Sequence, residues 1–139
     1  MLLPLDDYSR NTYVSENAIL PGQVHTYFGG SEHNVFRAYR QEVWSLTDHS
    51  ESDRTQSIAD MLGASGLKSK MQNYTYEISG QKRSGQNVYA VLQGPRADAT
   101  EAMVLMAAWR NMDGVINYSG VALVLTLARY FKREFDQVP

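Results

Sequence analysis

The apolar residues change period in the middle of this chain, and that change limits it to folds that layer helices on a sheet. Val35, Phe36, Tyr39, Val43 and Trp44 recur at helical spacing, and Ser31 stands where an N-cap belongs. A helix is therefore expected from about Glu32 to Leu46. The polar, small stretch Thr47 to Asp53 reads as a loop. A second helix follows near Arg54 to Ala64, with Ile58, Met61 and Leu62 turned inward and Gly63 or Gly66 suited to its end. Beyond it Tyr74, Tyr76 and Ile78 alternate with polar residues, as in a half-buried strand. Gly80 to Gly85 reads as a hairpin loop and Val88 to Leu92 as the returning strand, broken by Gly94-Pro95.

Ala102 to Ala107 is continuously apolar, the pattern of an inner strand covered on both faces. Asn111 to Asn117 reads as a loop, and Ser119 opens a last helix to about Phe135. Arg129, Lys132, Arg133 and Glu134 come late in it, so the helix should start buried against a sheet and end in water. The order helix, helix, strand, strand, strand, helix implies an α/β fold with a mixed sheet flanked by helices. Residues 1–30, rich in turn formers and tyrosines, read as an extended arm, and residues 31–139 as the α/β core. Three strands leave an open edge, which invites pairing with a second copy. The expectation is the N-terminal part of a larger domain.

Several function classes fall to composition. The chain has 139 residues, 43% of them hydrophobic, enough for one domain with a core. Its net charge of −2 shows no cationic stripe for nucleic acid. Cysteine is absent, which removes disulfides, thiolate metal sites and cysteine nucleophiles. Met1 to Leu5 is too short for the apolar core of a secretory signal. The longest apolar run, Val121 to Leu125, falls far short of the ~20 residues of a spanning helix, so a soluble chain is expected. Two triplets, Asn73-Tyr74-Thr75 and Asn117-Tyr118-Ser119, fit the N-glycosylation rule, a rule that chance also satisfies often.

The run from Glu16 to Val24 (ENAILPGQV), followed by Tyr27-Phe28-Gly29-Gly30-Ser31, resembles the family of GPI-anchor attachment subunits of the GPI transamidase complex. The resemblance continues in order through Asn87-Val88-Tyr89-Ala90-Val91-Leu92, Pro95-Arg96 and Thr100 to Leu105. It ends in Gly120 to Leu123 and Leu127-Ala128-Arg129-Tyr130-Phe131, and covers most of the chain except the polar loop from Thr47 to Thr55. It implies an endoplasmic reticulum membrane protein whose lumenal domain is similar to zinc aminopeptidases of the M28 type. It further implies partner subunits, among them a caspase-like catalytic subunit that supplies the cleaving nucleophile, and contact with the GPI glycolipid.

In an active peptidase of that type the inner strand ends in a His-x-Asp pair, and a second Asp precedes the Ser-Gly that opens the next helix. The zinc ions held there polarise a carbonyl and activate a water. On this sequence those places fall on Ala108, Arg110, Val115 and Ile116. A methyl group cannot ligate zinc and a guanidinium repels it. A slipped register would bring Asp113 from the loop, or Asp98 or Glu101 from the start of the strand. His25, His33 and His49 lack metal-ligand spacing. No metal site, cofactor or catalytic residue is expected.

Trp109 and Arg110, with Asp113, sit where strand ends face a crevice in open α/β sheets. They form a candidate groove for a partner or substrate; the plainer alternative is that Trp109 packs on a helix and Arg110 is solvated. Gly29-Gly30-Ser31 ahead of a helix could face a phosphate, or be a turn and an N-cap worth about 1 kcal/mol. The tyrosines Tyr8, Tyr13, Tyr27, Tyr39, Tyr74 and Tyr76 read as the edge of a core rather than a glycan platform. The expected function is a non-catalytic domain that helps recognise or present GPI and proprotein and assembles the complex. The alternative is a metal-dependent, amide-forming domain with unconventional ligands. A third reading makes the domain architectural, with GPI held by membrane segments outside it.

Overall fold

The computed structural model describes residues 31–94 and 100–137, and the expected arm over residues 1–30 lies outside them. The chain divides after His33 into two units, and the second, residues 34–139, holds every described element except the first turn of helix α1. The element order is α1 (Ser31–Ser45), α2 (Glu51–Ala64), β1 (Ser69–Ile78), β2 (Gln81–Ala90) and α3 (Tyr118–Asp136). The α/β content is as the sequence predicts. The sheet differs from expectation: among the described residues it has two antiparallel strands, and no mixed arrangement forms.

α1 turns Tyr39 and Val43 inward, with Leu46 just past its end. Trp44, which shares the apolar spacing, points to solvent. The helix closes through tight bonds from Leu46 N to Val43 O (3.2 Å) and Thr47 N to Trp44 O (3.1 Å).

α2 begins three residues earlier than its hydrophobic pattern predicts, because capping rather than apolar spacing sets its start. Ser50 is the N-cap: its Oγ accepts from Asp53 N at 3.2 Å and donates to the Asp53 carboxylate at 2.7 Å. Glu51 and Asp53 place negative charge against the positive end of the helix dipole. The other end is a Schellman motif, with Gly66 at φ +84 the left-handed residue. Leu67 N reaches Leu62 O at 3.1 Å and Gly66 N reaches Gly63 O at 2.9 Å. Both Leu62 and Leu67 enter the core.

β1 and β2 pair from Ser69 opposite Ala90 to Ile78 opposite Gln81. The turn between them is Ser79-Gly80 alone, with φ of 51 and 78, the positive pair of a type I′ hairpin. The stretch expected to be a loop up to Gly85 is strand instead. It reads as loop in sequence because Gln81 to Ser84 are exposed on both faces, so no apolar alternation marks them. The face used also differs from expectation. α2 covers the face of Val88 and Ala90, while Tyr76 is 48% and Ile78 61% exposed on the other. The Tyr74 and Tyr76 rings stack along that open face, 6.0 Å between centroids.

Val43, Leu62, Leu67, Val121 and Leu125 form the buried cluster, so α1, α2 and α3 meet over one end of the hairpin. Burying a Leu or Val side chain stabilises by roughly 1.5–3 kcal/mol, so these few residues supply much of the cohesion. Tyr39 Oη and Ser65 Oγ, 3.0 Å apart, and Arg40 Nε donating to Ser119 Oγ at 3.1 Å tie α1 to its neighbours. α3 buries Val121, Ala122, Leu125 and Thr126 and exposes its charged end, as its composition predicts.

The third expected strand does not form. Residues 101–108 are unpaired, with Val104 78% and Met106 88% exposed. A strand needs a hydrogen-bonding neighbour on at least one edge, and among the described residues no strand pairs with this segment. The remaining ladder is a single bridge between Arg110 and Ile116.

Candidate functional site

The sequence points to the end of the apolar segment, and the structure makes that region a closed loop, fixed largely by backbone bonds. Asn111 N donates to Val115 O at 3.0 Å, Gly114 N to Asn111 O at 3.0 Å, and Val115 N to Asn111 Oδ1 at 2.8 Å. Gly114, at φ +78, takes the left-handed position that closes the turn. Asn117 N donates to Trp109 O at 2.9 Å, which brings both ends of the loop together.

Asn117 locks that loop to α3. As N-cap, its Oδ1 accepts from Gly120 N at 3.0 Å while its Nδ2 donates to Ala108 O at 3.3 Å. A Cβ on Gly120 would overlap this amide, so the glycine leaves the space the clasp occupies. The apolar pattern carries no hint of this role, although Asn is among the best N-cap residues and its place before Tyr118 is a readable signal.

Trp109 is half-buried against the core, and the Arg54 guanidinium lies over its ring, 5.0 Å from the centroid. Arg54 is held at the same time by its Nη1 bond to His49 O at 2.9 Å. A cation over an aromatic face contributes about 0.5–1 kcal/mol at an exposed site. This is close to the plainer expectation, a tryptophan spent on packing. Its Nε1 is buried and finds no acceptor among the described residues.

Arg110 is exposed, and its Nη1 donates to Gly114 O at 3.0 Å across the loop. Asp113 is exposed on the same loop. Trp109, Arg110 and Asp113 thus stand on one short piece of chain, but the ring turns to the core and Arg54 while the other two face water. The other candidates lie apart. Ser31 is the first residue of α1, and Gly29 and Gly30 lie outside the described residues. Asn73 is exposed on β1, and Gln86 Nε2 donates to its Oδ1 at 2.9 Å.

The donor set does not fit zinc. Ala108, Arg110, Val115 and Ile116 offer no metal-binding atom, and Arg110 and Ile116 pair with each other through the backbone. Among the described residues no three His, Cys, Asp or Glu side chains converge. Asp98 and His25 lie outside the described residues; Glu101, His33 and His49 are exposed.

Residues 84–135, from the end half of β2 through α3, match the family described as Gaa1-like, GPI transamidase component. The GPI transamidase component GAA1 of Saccharomyces cerevisiae is 38% identical over 132 residues, covering 95% of this chain. The GPI transamidase component gaa1 of Schizosaccharomyces pombe is 35% identical over 135 residues, covering 94% of it. The chain belongs to the Gaa1-like family. It spans only 20% and 23% of those two relatives, so it corresponds to a small part of a Gaa1-like protein. The Trp109 to Asn117 loop lies inside the matched stretch. No solved structure matches the chain. None of the described helices is long and apolar enough to cross a membrane.

Proposed function

We propose that this chain is the N-terminal part of a lumenal, peptidase-like domain of a GPI transamidase component, and that the domain does no chemistry of its own. It helps recognise or present GPI and the proprotein and joins the assembly in which a caspase-like subunit supplies the nucleophile. The observation that carries this reading is the loop from Ala108 to Asn117. Where M28-type peptidases keep zinc ligands, this chain has methyl, guanidinium and branched aliphatic groups, and the backbone there is spent on the Arg110–Ile116 bridge. The exposed apolar segment from Met103 to Met106 supports the idea of a larger domain, in which it would pair as an inner strand with chain beyond these residues. Family membership and the component names of the relatives support the placement in a GPI transamidase complex of the endoplasmic reticulum membrane.

Metal analysis of the purified full-length subunit tests the reading. The expected result is zinc well below one equivalent and no aminopeptidase activity. Stoichiometric zinc with hydrolysis of aminoacyl substrates would refute it. Asp113→Ala and Glu101→Ala in the full-length subunit should leave GPI transfer in cells unchanged; a loss of transfer with normal assembly would favour the metal-dependent, amide-forming alternative.

A further inference from the structure

The two acceptor triplets look equivalent in sequence and are not equivalent in the fold. Asn73 sits on β1 directly opposite Gln86, and its side chain is exposed. Gln86 Nε2 donates to Asn73 Oδ1 at 2.9 Å, whereas Asn73 Nδ2 donates to no described residue. Thr75, the third residue of that triplet, is exposed as well. Asn117 is half-buried with both side-chain atoms engaged: Oδ1 caps α3 at Gly120 N, and Nδ2 donates to Ala108 O. It is packed so tightly on the first turn that a Cβ at Gly120 would overlap it.

We infer that Asn73 carries an N-linked glycan and that Asn117 does not. This rests on the proposal that the chain faces the lumen of the endoplasmic reticulum, where glycan transfer occurs. In the transfer, Asn73 Nδ2 forms a bond to the anomeric carbon of the first sugar of a polyprenyl-diphosphate oligosaccharide. The bond from that carbon to the phosphate oxygen breaks, the lipid diphosphate departs, and the amide gives up one proton.

The product suits the folded state at Asn73. Its Oδ1 still accepts from Gln86, and the sugar extends from an Nδ2 that gives up no bond to a described residue. A glycan on Asn117 would force its bulk between Ala108 and the first turn of α3 and open the clasp.

The test is a mobility-shift immunoblot of the full-length subunit expressed in cells, with and without a glycan-cleaving amidase. Asn73→Gln and Thr75→Ala should each remove one glycan step, and Ser119→Ala, which leaves the Asn117 cap in place, should remove none. A double substitution, Ser79→Asn with Gln81→Thr, puts a control acceptor at the hairpin turn. Ser79 already holds a φ of 51, a conformation that Asn tolerates well. If the control gains a step while Asn73→Gln loses none, the inference is wrong and the lumenal reading stands. A step lost in Ser119→Ala overturns the inference at Asn117. If the control gains no step and Asn73→Gln loses none, the lumenal reading fails and takes the inference with it.

Discussion

At Gly85 the hairpin has room for a hydrogen and little else. A Cβ there would overlap the Tyr74 ring and hydroxyl and come within 3.1 Å of Glu51 Oε1, the carboxylate oxygen that accepts from Gln86 N. Tyr74 lies directly across the ladder from Gly85, so its ring covers the bare backbone and continues into the stack with Tyr76. Gly85→Ala should therefore destabilise the chain by about 1–3 kcal/mol, the usual cost of overpacking. Urea unfolding of Gly85→Ala, Tyr74→Ala and the double variant provides the check. The alanine at Gly85 should cost less once the ring is gone, with a coupling of about 0.5–3 kcal/mol. Equal costs in both backgrounds would mean that the ring does not impose the glycine. In sequence Gly85 reads as the end of a loop, because its cause lies on the opposite strand.

At the level of elements, the helix ends show how far local chemistry reaches. Ser50 and Gly66 set both ends of α2 by motifs written in adjacent residues, and Gly66 is one of the two glycines that the sequence offers for that end. For α3 the deciding group is the Asn117 side chain, which joins the helix to the loop before it. Asn117→Ala removes both bonds and should lower stability by about 0.5–2 kcal/mol, the range for a lost N-cap. Asn117→Asp keeps an acceptor at the cap and adds a favourable charge at the helix start, while giving up the donor to Ala108 O. Its loss in melting temperature should be the smaller of the two. If Asp is as damaging as Ala, the bond to Ala108 outweighs the cap.

For the whole molecule, the exposed apolar segment before Trp109 is the feature that the rest of the fold does not account for. Met103, Val104 and Met106 are each more than three-quarters exposed, although the same residues read in sequence as the innermost strand. The hairpin adds outer edges with no further strand, since β1 and β2 are the whole sheet among the described residues and Gln86 N on β2 meets a side chain, Glu51 Oε1. The 139-residue chain on its own should therefore associate as concentration rises, through apolar surface and strand edges. Sedimentation velocity over a range of concentrations measures this. Val104→Lys with Met106→Lys should suppress the association without lowering the melting temperature. A chain that stays monomeric throughout would show that the segment is already covered.

Adjacent residues were enough to determine the three helices, the hairpin's existence, the late charged end of α3 and the lack of ligand-forming groups at Ala108, Arg110, Val115 and Ile116. Each follows from spacing or from side-chain identity, and neither depends on where the chain goes next. Tertiary structure decided which face of the hairpin is buried, that Gln81 to Gly85 extend a strand, and that Ala102 to Ala107 stand unpaired. It also turned Trp109 to the core under Arg54 and separated the two glycan acceptors. The physical reason is common to all of these. A strand is completed by hydrogen bonds and a surface supplied from elsewhere in the chain, whereas a helix satisfies its backbone within itself and is marked by its own periodicity.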